Sequence, residues 1–119
     1  MRLSSIIVCT FAVLLHCKCT FAQTQLELNI ASRAKFEKAD AKLNEAYKIL
    51  LPQLNDDGRK KLQEAQKAWI TFRDADAESE ADDYLGGSIW PLIFNDCLTA
   101  RTESRTAELE LRIKELASH

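Results

Sequence analysis

Leu51-Pro52-Gln53-Leu54-Asn55-Asp56-Asp57-Gly58 is the stretch on which the fold turns. Upstream of it, Thr24 to Leu51 contains neither Gly nor Pro, and Phe36, Leu43, Tyr47, Leu50 and Leu54 recur at spacings of seven, four, three and four. That spacing is the seam of an amphipathic helix. Pro52 disfavours helical backbone at Leu51, and Asn55 to Gly58 supplies turn formers and N-cap side chains, so the chain turns and restarts there. A second helix is predicted from about Asp57 to Tyr84, with Leu62, Ala65, Trp69 and Phe72 on its apolar face and Arg59, Lys60, Lys61, Glu64 and Lys67 opposite. Gly86-Gly87 breaks it, and a third helix opens with Ser88 as cap or Pro91 in its first turn. This one extends to about Ala117. Its stripe is Ile93, Cys97, Ala100, Ser104, Ala107 and Leu111, rotating to Leu109, Ile113 and Leu116. No stretch shows a strand pattern. Three helices of about 28 residues, each roughly 42 Å long, joined by short connections, predict an all-α antiparallel up-down-up bundle.

Before this bundle, Arg2 precedes the apolar run Ile6 to Leu15, and Thr20-Phe21-Ala22 places small residues three and one positions before a cut. Residues 1–22 therefore read as a secretory signal peptide and 23–119 as the helical domain. The apolar run is about half of the roughly 20 residues needed to span a bilayer, so no stable membrane insertion is expected after cleavage. Cys17 and Cys19 follow His16 and Lys18, which are poor neighbours for lipid attachment. The destination is periplasmic or secreted.

With 119 residues and only five Gly and Pro together, the chain is one domain and neither collagen-like nor low-complexity. Its 16 basic and 18 acidic side chains give a net charge of −2. The leader holds Arg2 and Lys18 and no acid, so its removal leaves 14 basic and 18 acidic side chains, net −4. Such a chain has no footing for non-specific nucleic-acid binding. Cys97 is then alone, which excludes an intrachain disulfide. It reads as a small buried hydrophobe, with a disulfide-linked homodimer as the alternative. The domain's single histidine is the terminal His119, so no Ser/His or Cys/His pair and no His-based zinc site is available, and no Gly-rich phosphate loop is present. The expectation is a protein that is not an enzyme and uses no metal or cofactor. A carboxylate-based hydrolase would need two acids facing across a cleft.

The most unusual composition lies at the end of the second helix. Asp74, Asp76, Glu78, Glu80, Asp82 and Asp83 place six carboxylates in ten residues without a base, and Tyr84-Leu85-Gly86-Gly87-Ser88 follows. Acids at a helix C-terminus oppose the macrodipole, so this end is expected to fray or bend. One reading is a solvated helix end. The other is a negatively charged lip in which Asp82, Asp83, Tyr84 and the Gly86-Gly87 tip contact a cationic protein while Asp76, Glu78 and Glu80 steer the approach. Trp69 and Arg73, four apart, bring guanidinium onto indole, and Arg73 stands three before Asp76, its expected ion-pair partner. Asp40 falls on the apolar seam of the first helix. A carboxylate there needs a partner, and Arg73 or Arg105 across the bundle is predicted to supply it.

Two blocks carry a resemblance. Ala39-Asp40-Ala41-Lys42-Leu43-Asn44-Glu45-Ala46-Tyr47 and Gln66-Lys67-Ala68-Trp69-Ile70-Thr71-Phe72-Arg73-Asp74, followed by Gly86-Gly87-Ser88, Cys97 and Thr102 to Arg105 to Leu109, resemble the bacterial lysozyme inhibitor LprI-like family. The resemblance implies an exported helical domain and a protein partner, with a cationic lysozyme as the first expectation. It also implies further cysteines, and the places expected for two of them hold Ala31 and Ala77. From another class, an envelope structural or chaperone-like protein would show a large exposed apolar strip; an immunity-type partner of a toxin is a third reading.

Overall fold

The computed structural model describes residues 24–119 with their side chains; the expected leader, with Cys9, Cys17 and Cys19, lies outside them. Helix α1 spans Arg2–Leu50, so it begins ahead of Thr24, the expected start, and is 49 residues long rather than about 28. A single 3-10 turn, Leu51–Gln53, follows, then α2 (Asp56–Ala81), a second 3-10 turn at Asp82–Tyr84, and α3 (Trp90–Ala117). No strand occurs among the described residues.

Local chemistry sets each boundary. Pro52 sits in the first turn of the 3-10 segment, Leu54 and Asn55 are extended, and Asn55 Oδ1 accepts from the Gly58 backbone N–H at 2.8 Å. A Cβ on residue 58 would stand 3.1 Å from that oxygen, so glycine gives the cap its room. Such a cap stabilises a helix by about 1 kcal/mol. At the other break Gly86 takes φ +81°, a conformation that glycine adopts without steric cost. Pro91 occupies the first turn of α3, and Ile89 is the residue at its cap. Ser88 is not the cap: its carbonyl accepts from Asn29 Nδ2 at 2.9 Å and ties the start of α3 to α1.

Cross-helix contacts give the register. Asn95 Nδ2 donates to Ser32 Oγ, Phe36 packs with Cys97 and Leu98, and Leu43, Ala46 and Leu50 pack with Leu109. So α1 and α3 run parallel, while α2 runs against both, with Leu62 beside Leu50 and Leu109 and Ala77 beside Phe36. This is the up-down-up bundle. Backbone packing runs through α3, which touches both other helices, whereas α1 and α2 stay apart and are joined by side chains.

Two faces differ from expectation. In α2 the buried stripe is Leu62, Gln66, Arg73, Ala77 and Ala81, with Trp69 half-buried on it. Ala65 is exposed, and Phe72, expected in the core, is 58% exposed. In α3 the buried residues are Asn95, Cys97, Leu98, Thr99, Thr102, Thr106 and Leu109, while Ala100, Ser104, Ala107 and Leu111 face outward. The physical reason is shared: polar side chains hold the core positions because their hydrogen bonds are made there. Thr99 and Thr106 donate to the carbonyls of Asn95 and Thr102, one turn back, and Ser32 donates to that of Asn29. Every fully buried side-chain polar atom among the described residues is hydrogen-bonded. No helix among them is long and apolar enough to cross a membrane.

Candidate binding tip and its support

The site is built from the α2 side upward. Arg73 is buried on the α2 stripe, with its guanidinium 5.3 Å from the centre of the Phe36 ring and 5.2 Å from that of Trp69. Its Nη1 donates to Asp40 Oδ1 at 3.2 Å and, weakly, to Thr102 Oγ1 at 3.4 Å, while Nε donates to Asp74 Oδ1 at 2.9 Å. Asp40 thus meets Arg73. The expected pairing of Arg73 with Asp76 does not form, because Asp74 and Asp40 occupy the guanidinium. Arg105 lies on the far edge of Trp69 at 5.9 Å, donating to Gln66 Oε1 at 3.1 Å and Glu108 Oε2 at 2.9 Å. Leu43 is fully buried beneath this arrangement and Tyr47 half-buried beside it. Cation on ring, repeated across three helices, replaces the apolar packing that an ordinary seam would have.

One turn further along α2, Arg101 of α3 reaches two of the acids. Its Nε donates to Asp76 Oδ2 at 2.6 Å and its Nη2 to Glu80 Oε1 at 2.9 Å. The hydrogen bond to Asp76 holds the guanidinium above its ordinary pKa. Cys97 Sγ lies within 4.8 Å of both carboxylates. Burial, then the adjacent Glu80 carboxylate, push this thiol up to about 11, so it stays protonated. Two acids and a thiol resemble a metal trio in composition, but the guanidinium already occupies the cation's place between the carboxylates.

The expected lip is therefore divided. Asp76 and Glu80, assigned to steering, are structural anchors of α2 on α3. Their pairing also explains why this end of α2 does not fray: it remains helical to Ala81 and tightens into the 3-10 turn, where the Leu85 N–H donates to the Asp82 carbonyl at 3.0 Å. Glu78, Asp82 and Asp83 are exposed and form no ion pair among the described residues. Tyr84, Gly86 and Gly87 are exposed beside them, and Leu85 is 72% exposed at the apex. Gln66 and Thr102 enter the sequence reading only as part of the blocks that carry the resemblance, without a role, and Arg101 is not named at all. For Arg101 a signal existed, since it is the only base between Pro91 and Ser104 and so the natural partner for acids on a facing helix.

The fold is shared with a solved DUF1311 family protein from Pseudomonas putida KT2440, with a TM-score of 0.63 at 22% identity over 70% of this chain and 87% of that one. An uncharacterized protein of Rhizobium meliloti (strain 1021) is 31% identical over 77% of this chain and 76% of its own length. Residues 17–109 match the family described as Lysozyme inhibitor LprI, and the chain belongs to that family.

Proposed function

We propose that this protein is an exported, non-enzymatic binding domain that inhibits a cationic lysozyme by setting the Asp82 to Gly87 tip into its substrate cleft. The observation that carries the reading is the tip itself: uncompensated Asp82 and Asp83 beside exposed Tyr84 and Leu85, on a turn held to α3 only at its base. Glu78 adds a third free carboxylate on the approach. Unpaired acids attract a cationic partner from a distance, and a protruding aromatic and leucine supply apolar contact once it arrives. The family description and the net charge of −4 after removal of residues 1–22 support the same partner. The export reading leads to the periplasm or the cell exterior.

The test is hydrolysis of peptidoglycan by a cationic lysozyme at low and moderate salt, with the parent protein beside a variant carrying Asp82→Ala, Asp83→Ala and Tyr84→Ala. Inhibition by the parent that weakens with salt and disappears in the variant is expected. A parent without effect at micromolar concentration overturns the reading.

One observation favours the envelope-protein alternative. Leu26 and Ile30, one turn apart on α1, are exposed on one face, and Ile30 adjoins a groove with Pro91 and the stacked rings of Trp90 and Phe94, 4.7 Å apart. Under that alternative the parent leaves lysozyme unaffected, and Ile30→Ser loses the envelope partner that crosslinking captures with the parent.

A further inference from the structure

Residues of α1 and α2 together line a groove of about 440 Å³, formed by Asn44, Tyr47, Gln63, Gln66, Lys67 and Ile70. That volume lies in the range of small-ligand sites. We propose that this groove binds a short extended peptide ending in a free carboxylate.

Gln66 carries the argument. It is only 8% exposed, and its Oε1 accepts from Arg105 Nε. Arginine has no acceptor, so the oxygen must face it and the amide orientation is set; Nε2 is then turned the other way. No described residue accepts from that Nε2, yet no fully buried polar atom is left unsatisfied, so this amide reaches solvent through the groove it lines. A buried side chain locked by one bond and presenting two free N–H donors to a cavity suits a ligand carbonyl or carboxylate.

The rest of the lining points the same way. Lys67 makes no ion pair, and neither the Tyr47 hydroxyl nor the Gln63 amide has a partner among the described residues, while Asn44 Nδ2 makes only a long bond of 3.5 Å to Asp40. No carboxylate lines the groove, although the chain is acidic overall. Donors and one cation favour an anionic, acceptor-bearing ligand over a neutral sugar, whose hydroxyls need strong acceptors. Planar amides at Asn44 and Gln63 match the paired donor and acceptor of peptide groups, and Gln66 adds donors alone. Gln63, Gln66, Lys67 and Ile70 follow one face of α2 for roughly 10 Å, the length of about three extended residues at ~3.3 Å each. Lys67 would hold the terminal carboxylate, and Tyr47 and Ile70 offer apolar walls for small side chains.

The test is a titration of ¹⁵N-labelled full-length chain with N-acetyl-trialanine, read at the side-chain amide signals of Asn44, Gln63 and Gln66. Saturable shifts are expected, with about tenfold weaker binding for the C-terminally amidated peptide and for Lys67→Ala, the loss that one charge-assisted bond predicts. Lys67 is exposed, so that variant keeps its fold; Gln66→Leu, whose folding is checked by its spectrum, is expected to abolish the shifts. The proposal is overturned by absent shifts at peptide concentrations on the order of 10 mM, by equal response to the amidated peptide, or by shifts with chitotriose alone.

Discussion

Arg73 and Asp40 join α2 to α1 across 3.2 Å, where the backbones of the two helices do not pack directly. The pair is asymmetric. Arg73 is buried between two aromatic rings, whereas the Asp40 side chain is 39% exposed. Asp40→Ala therefore leaves Arg73 with Asp74, Thr102 and both rings, and water reaches the vacated place. The expected loss of stability is about 1–2 kcal/mol by denaturant unfolding, below the 3–5 kcal/mol of a fully buried pair. An unchanged midpoint would show that Asp74 alone satisfies the guanidinium.

Of the two aromatic residues that the spacing places on the apolar face of α2, Trp69 is there and Phe72 is not. Trp69 faces both Arg73 and Arg105, and Phe72 faces solvent. Trp69→Ala is expected to cost about 3 kcal/mol through lost burial and two lost cation contacts, and Phe72→Ala about 0.5 kcal/mol or less. Paired melting curves of the two variants decide it; equal losses would return Phe72 to the core.

Helix ends were legible because Pro52, Asn55, Gly86 and Pro91 act through local backbone chemistry that neighbours cannot override. Faces were harder. Counting apolar residues selected Ala65 and Phe72, since Gln66 and Arg73 look like surface residues until the rings and carboxylates that satisfy them are brought from other helices. The same holds for Thr99 and Thr106, whose hydroxyls bond within their own helix and so enter the core at little cost, and for Thr102, whose hydroxyl accepts from Arg73 of α2. The acidic stretch was visible as composition. Which acids are free was not, because Arg101 stands 21 residues beyond Glu80 and 25 beyond Asp76.

Cys97 predicts an alkaline limit. Its thiol is raised from 9.0 to about 11, so folding favours the protonated form. A raised pKa gives stability that is complete below the unfolded value and is lost as pH rises through the folded one. Stability should therefore decline from about pH 9 and finish its decline near 11. Cys97→Ala should flatten that part of the profile relative to the parent in matched melting curves; superimposable slopes would remove the thiol from the account.

Gly86 predicts the stiffness of the tip. A Cβ at this position meets nothing within 4 Å, so the objection to a side chain is the backbone alone, at φ +81°. Gly86→Ala is expected to lower stability by about 1 kcal/mol and, on the proposed function, to weaken inhibition more than an exposed glycine would otherwise suggest, because the turn must readjust. Lysozyme assays at matched fractions of folded protein separate the two effects.

The hydroxyl and amide groups that line the α1–α3 seam have a thermal consequence. Ser32, Asn95, Thr99, Thr102 and Thr106 occupy space that leucines would fill in an ordinary bundle. Hydrating apolar surface raises the heat capacity of the unfolded chain, and hydrating polar surface lowers it. Unfolding this seam exposes both kinds together, which shrinks the heat-capacity increment. The stability curve is correspondingly broad, and the protein changes its margin slowly between cold and warm surroundings.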